Sequence, residues 1–187
     1  MVAIIEPETE RLRLVAWREE HMAPFAEMNA DPEVMRYFPR TLSEAESRAT
    51  LDSWRGHFAE NGWGHWAVER KGSGEFIGFI GLSIPRRQLP FSPCVEIGWR
   101  LAQRFWGRGY ATEGARASLE VAFRRLGLTE VVSFTALANR PSRRVMERIG
   151  MRDTGQDFDH PAVPEGSPLR RHCLYIVGRS GWTFSPA

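Results

Sequence analysis

The sequence predicts an α+β protein, built as a mixed, mostly antiparallel sheet flanked by helices. Two changes of pattern carry that reading. Apolar residues recur at helical spacing through much of the chain up to Gly62, then give way between Trp66 and Leu101 to short β-branched and aromatic runs cut by Gly-rich or Pro-rich connections. Further on, a strand, helix, strand unit brings mixed pairing into what otherwise looks like a meander.

Each element has a local reason. Arg11 to Val15 alternates polar and apolar residues, as a half-exposed strand does, and Glu19 to Asn29 sets His21, Met22, Phe25 and Met28 at helical spacing. In "DPEVMRYF", Asp31 is a cap candidate with Pro32 at the first helical position, so a short helical turn is expected before Pro39. Ser43 and Glu46 form a capping-box pattern and introduce a second helix whose Ala45, Ala49, Trp54 and Phe58 share a face, ending at Gly62. Strands follow at Trp66 to Glu69, Phe76 to Leu82 and Cys94 to Leu101. "RKGSGE" has hairpin length, whereas "PRRQLPFSP" is longer and Pro-rich. Tyr110 to Leu126 reads as a helix with Ala111, Ala115, Leu119, Ala122 and Phe123 on one side. "TEVVSFTAL" is a buried-type strand, "SRRVMERIG" a short helix closed by Gly150, Met151 onward turns back toward strand, and "CLYIVG" is the last strand. "DFDHPAVPEGSPLRR" is the one extended segment suited to a substrate loop.

The bulk numbers narrow the function classes. At 187 residues, a single domain over 1–187 is expected. Against 23 acidic side chains, 25 basic ones leave a formal charge of +2, which argues against a nucleic-acid partner. Cys94 and Cys173 are too few to form a disulfide scaffold and read as free, buried thiols. The opening "MVAIIEPETERLRLV" is interrupted by acids, and no apolar run approaches the roughly 18 residues of a membrane span, so a cytoplasmic protein without a membrane role is expected. His21, His57 and His65 are scattered without zinc-ligand spacing, and no metal site is expected.

The stretch "LAQRFWGRGYATEG" is where chemistry first shows. Gly107 and Gly109 permit a tight turn that converges several N–H groups on the start of a helix, where the dipole favours an anion, and Arg104 and Arg108 add charge at the rim. The third glycine of G-x-G-x-x-G is missing and no G-K-S/T follows, which disfavours a conventional ATPase or dinucleotide enzyme. An ordinary turn before a helix accounts for the glycines equally well at this level.

With its neighbours, the stretch resembles a known family. Arg104-x-x-Gly107-x-Gly109, preceded by Gln103 and followed by Ala111, is similar to the Gln/Arg-x-x-Gly-x-Gly/Ala pyrophosphate loop of the Gcn5-related N-acetyltransferases (GNAT). "LRLVAW", "CVEIGWRL" and "ANRPSRRVMERIGM" agree with it in order, so the resemblance runs from about residue 10 to residue 177 and is closest to the branch holding the ribosomal-protein N-terminal (alanine) acetyltransferases. The resemblance implies a sheet splayed between its fourth and fifth strands, here Cys94 to Leu101 and Glu130 to Leu137, with acetyl-CoA in the opening. It implies that amides of Arg104, Phe105, Trp106, Gly107, Arg108, Gly109, Tyr110 and Ala111 hold the pyrophosphate and that the backbone of Trp99, Arg100 and Leu101 pairs with the pantetheine arm. It also implies that Asn139 and Ser142 lie beside the thiol end. Tyr110 either covers part of the cofactor or anchors its helix.

Acetyl transfer from a thioester needs a neutral amine, a positioned donor, a stabilised oxyanion and a proton for the departing sulfur. Glu96 is the base candidate, acting directly or through water, and an exposed strand acid is the alternative. Ser142 is the candidate for the sulfur side, against a role as helix cap. A backbone N–H near Trp99 or Arg100 is the oxyanion donor that the resemblance implies. His160 and His172 lie in or beside the expected substrate loop, where loop anchoring is the favoured role. Trp54, Phe58, Trp63 and Trp66 read first as core, with one or two bordering an acceptor pocket. The expected activity is acetyl-CoA-dependent N-acetylation of a primary amine, either a protein N-terminus or a small amine such as a polyamine or aminoglycoside. A noncatalytic acyl-CoA-binding regulator is the reading from another class. Glu27, Asp31, Glu33, Glu44 and Glu46 lend the N-terminal helices acidic character of the kind a polyamine would seek, and a homodimer is left open.

Overall fold

A computed structural model describes residues 2–183. The first strand, β1 (Leu12–Val15), leads through a short 3-10 turn into α1 (Met22–Ala30) and then α2 (Glu44–Asn61). Three strands follow, β2 (His65–Arg70), β3 (Phe76–Ser83) and β4 (Glu96–Leu101), then α3 (Tyr110–Glu120) and β5 (Glu130–Ala136). The chain ends in α4 (Arg140–Arg148), the two-residue strands β6 (Arg152–Asp153) and β7 (Phe158–Asp159), and β8 (Arg171–Gly178). The sheet order is β1-β2-β3-β4-β5-β8-β6, with β7 also on β8, and every pair is antiparallel except β4 with β5. The predicted class, a mixed and mostly antiparallel α+β sheet, is the observed one.

Local signals act as expected at α2. Ser43 Oγ accepts the Glu46 amide while Glu46 accepts the Ser43 amide, and the helix ends at Gly62. They act again at "DPEVMRYF", where Asp31 caps the amides of Glu33 and Val34 and the Met35 amide reaches back to the Asp31 carbonyl (3.0 Å), the expected short turn before Pro39. A run this brief, closed by Pro39, goes no further, because it cannot recover the cost of nucleating a longer helix. The predicted helix over Tyr110 to Leu126 is α3 followed by a π turn at Val121–Arg125, in which the Leu126 amide reaches back to the Val121 carbonyl.

The two sheet faces carry different partners. Leu12 and Ile80 meet α3 so closely that a Cβ at Gly114 would lie 2.5 Å from the Ile80 Cδ1, so a larger residue there would force the Ile80 side chain to move. On the other face, Phe79 packs against Phe25 of α1 and Trp54 of α2. A second apolar cluster, Leu89, Val132, Phe158 and Leu174, lies along the far half of the sheet. No helix among the described residues is long and apolar enough to cross a membrane. Both cysteines are free thiols; Cys173 is buried, while Cys94 is only partly covered, less so than expected.

Candidate active site

The site begins where the parallel pair fails. β4 and β5 share one register pair, Glu96 with Val132, and are held there by the Val132 amide on the Val95 carbonyl (3.0 Å) and by Ser133 Oγ on the Ile97 carbonyl (2.9 Å). Beyond that point the strands part. The Ala102 amide donates to Ile77 on the opposite side, so alternation turns the backbone groups of Val95, Ile97, Trp99 and Leu101 toward β5. The Leu101 carbonyl accepts the Trp106 indole N–H (2.7 Å). Trp99 therefore presents its N–H and C=O into the opening, while Arg100 turns its own toward β3.

The glycine loop crosses the end of this opening. Phe105, 4% exposed, is buried in the core and anchors the loop from below. Gly107 (φ +72) and Gly109 (φ +82) adopt left-handed conformations that L side chains resist. Gly109 is also the N-cap of α3 and contributes no side-chain cap, so the first amides of that helix stay available to an external acceptor. Arg104 is turned onto Glu75 (3.4 Å), away from the expected role at the rim, while the Arg108 carbonyl accepts from Arg11 (3.0 Å) and its side chain is exposed. Tyr110 is buried beneath the Arg11 guanidinium, 4.6 Å from its ring centre, so it anchors its helix.

Side-chain alternation settles the face of Glu96. Glu96, Gly98 and Arg100 point toward α1 and α2, where Arg100 bonds Asn29 Oδ1 (2.6 Å) and packs over Phe38. Glu96 accepts Ser83 Oγ (2.7 Å) and opens into a cavity of about 320 Å³, whose walls include Trp54, His65 and His160. Burial raises the Glu96 carboxyl above its ordinary value, and the Ser83 hydrogen bond only partly offsets it. His65 is buried in that wall with neither ring nitrogen hydrogen-bonded, and burial with the nearby Arg100 charge depresses it to about 3.

At the start of α4, Asn139 is the cap: its Oδ1 accepts the Ser142 amide (3.3 Å) and its Nδ2 donates to Thr135 (2.9 Å). The Ser142 hydroxyl is thus not the capping group. Because β4 and β5 run parallel, Ser142 lies beyond the diverging end of the strands and Glu96 at their joined end. His160 and His172 stack at 4.8 Å among Phe134 and Phe158, and the His172 Nδ1–H donates to the Arg170 carbonyl (3.0 Å), which is the anchoring role.

Residues 11–152 match the Acetyltransferase (GNAT) domain family. The chain belongs to the GNAT family. It is 34% identical over 182 residues to the FsC-acetyl coenzyme A-N(2)-transacetylase of Aspergillus fumigatus, covering 93% of this chain and 76% of that one. Among solved structures it is similar to a GNAT-family acetyltransferase from Bacillus anthracis, with TM-score 0.78, 25% identity, and 94% and 99% of the two chains covered. Likeness to a putative ribosomal N-acetyltransferase of Bacillus subtilis is confined to 64 residues at 39% identity, 34% of this chain and 35% of that one. The protein is a GNAT-type acetyl-CoA-dependent acetyltransferase.

A coenzyme A pyrophosphate fits what this GNAT chain presents: uncapped α3 amides, two left-handed glycines and an open strand edge at Trp99. Holding that loop is a group that sequence reasoning passed over. Glu113, in the first turn of α3, accepts the Thr9 hydroxyl (2.6 Å), the Arg11 amide (2.9 Å) and Arg11 Nε (2.7 Å), while the same guanidinium reaches the Arg108 carbonyl. Its one sequence signal is an acid three residues after Tyr110 on the buried face of the helix. Burial alone would raise the Glu113 carboxyl, but the bonds from Thr9 and Arg11 hold it below its ordinary value. A depressed carboxyl contributes stability above its unfolded-state pKa, and that contribution is lost as the pH falls through the folded value. Glu113→Ala should therefore cost about 2–3 kcal/mol at neutral pH, discounted because Arg11 is half exposed, with the gap to wild type closing in acid. Urea unfolding at neutral pH and below pH 4 measures it, and a constant difference across that range would refute the linkage.

Proposed function

We propose that this acetyltransferase acts on a primary amine by direct attack within a ternary complex. The observation that carries this reading is the placement on one strand of an open backbone edge at Trp99 and, three residues earlier, a carboxylate opening into a cavity on the adjoining face. When bound, acetyl-CoA supplies the thioester carbon and a thiolate leaving group. The loop amides from Arg104 to Ala111 receive its pyrophosphate, with Gly107 and Gly109 giving the amides their direction. The Trp99 N–H and C=O and the Leu101 N–H take the pantetheine arm, whereas Arg100, expected to share in this, spends its backbone groups on β3. Glu96 removes a proton from the acceptor's ammonium, directly or through water, so that a neutral nitrogen attacks the carbonyl carbon. The Trp99 N–H offsets the charge that develops on the carbonyl oxygen. As the carbon–sulfur bond breaks, Ser142, set by the Asn139 cap, positions the sulfur and relays to it the proton that the attacking nitrogen gives up, leaving the amide and the free thiol.

A nitrogen acceptor also agrees with the name of the Aspergillus relative, which places acetyl transfer on an N(2) position. The short match to a putative ribosomal enzyme makes a protein N-terminal amine the second acceptor class to test. Thiol release measured with N-terminal peptides, small amines, polyamines and aminoglycosides decides the matter. Saturable, acceptor-dependent release supports transfer, whereas tight acetyl-CoA binding without release to any amine would identify a noncatalytic binder. Ser142→Ala should lower kcat several-fold while leaving stability within about 0.5 kcal/mol, because Asn139 keeps the cap. Wild-type turnover in that variant would remove Ser142 from the reaction.

A further inference from the structure

We propose that the acceptor is a small amine carrying a carboxylate, with its amine at Glu96 and its carboxylate on Arg86 and Arg87. The inference rests on the transfer reading above and narrows it. Its starting point is the long connection between β3 and β4, a loop that needs a reason for its length. Leu89, 3% exposed, is buried with Val132, Phe158 and Leu174, and Phe91 packs on the Phe158 and Phe134 rings at 5.0 and 5.8 Å. Ser92 Oγ accepts the Leu89 amide (3.0 Å). These anchors hold the loop against the sheet and set Arg86 and Arg87 in the cavity wall, where Arg86 also donates to Ser53 Oγ of α2.

The charges in that wall are lopsided. Glu96 is the single carboxylate among the cavity-lining residues, and neither Arg86 nor Arg87 forms an ion pair among the described residues. Both side chains are exposed at the cavity mouth, and their charges reach its histidines: burial first, then the Arg86 charge against an opposing Glu60, lowers His57, and burial, His172 and Arg87 lower His160 to about 4. The cavity histidines are therefore neutral near pH 7, and the positive field comes from guanidiniums, Arg86 and Arg87 in the lining with Arg100 behind His65. His65 adds one buried donor and one buried acceptor with no partner in the fold, groups that a polar ligand would satisfy. Of the five N-terminal acids that a polycation would seek, Glu46 pairs with Arg40, Glu33 with Arg36 and Asp31 takes the amides of Glu33 and Val34, and none of the five lines the cavity. A polyamine or aminoglycoside would meet arginines at the mouth, which electrostatic complementarity disfavours. A cavity of about 320 Å³ suits a small molecule.

The test uses the full chain with saturating acetyl-CoA and follows thiol release with γ-aminobutyrate and ε-aminocaproate, each against its own carboxamide, and with spermidine and an aminoglycoside. The wild type should favour each carboxylate over its carboxamide by about tenfold in kcat/KM, with a margin that shrinks as salt is raised. Arg87→Gln, whose guanidinium makes no hydrogen bond among the described residues, should compress that ratio, and the Arg86→Gln/Arg87→Gln double variant should bring it near unity. Equal use of carboxylate and carboxamide, preference for spermidine or the aminoglycoside, or a ratio that survives both variants overturns the assignment of carboxylate to the arginines while leaving amine transfer standing. Thiol release to no amine at all overturns both.

Discussion

Glu96→Gln should lower kcat by about 100-fold and abolish the acid limb of the pH profile. Burial raises the Glu96 carboxyl, so in the free enzyme the basic form accumulates only above that raised value. The wild-type kcat/KM should accordingly rise with pH through a point above the ordinary carboxylate range and then level off. Glutamine keeps the Ser83 hydrogen bond available but cannot accept the proton, so the variant should be slow and lack that rise. A control is built into the same shift. A carboxyl whose folded value is raised binds more protons folded than unfolded between the two values, so its contribution to stability declines as pH rises through that window. The uncharged variant should then be at least as stable as wild type at pH 7, which separates lost chemistry from lost fold. A stable Glu96→Gln enzyme with the full wild-type rate across pH would falsify the base role.

Gly109→Val should raise the dissociation constant for coenzyme A at least about tenfold. Gly109 holds φ at +82, and an L residue there costs about 1–2 kcal/mol, more when it is β-branched. A Cβ would also lie 3.4 Å from Arg11 Nη2, which pairs with Glu113 on the guanidinium whose Nη1 holds the Arg108 carbonyl, so loop and clamp would shift together. Gly107→Ala faces a similar dihedral penalty (φ +72) but no atom within 4 Å, and should have the milder effect. Calorimetric titration with coenzyme A checks both. A folded Gly109→Val protein with undiminished affinity would show that the loop is an ordinary turn, while the acceptor preference should be the same in wild type and variant.

Several elements were legible because their signals are local. The capping box at Ser43, the end of α2 at Gly62 and the positive-φ glycines before α3 all depend on residues within four positions of one another. Asp31 belongs with them, since its cap opens the short turn it was expected to start. For Asn139 and Ser142 two capping roles stood level, and only the geometry assigned the cap to Asn139. Arg104 was legible as a loop cation but not as a partner of Glu75, which lies on a different connection.

The sequence by itself determined the α+β class, the helix-opening glycine loop and the strand that carries Glu96, since each is set by spacing along a few residues. Tertiary structure decided which face of β4 meets α1 and α2, why Arg100 and Trp99 present different groups to the opening, and where Arg86 and Arg87 stand. It alone joined Arg11 to Glu113 across a separation of 102 residues. A strand's alternation defines two faces but does not say which segment will cover either, because that depends on how remote parts of the chain bury their apolar surface together.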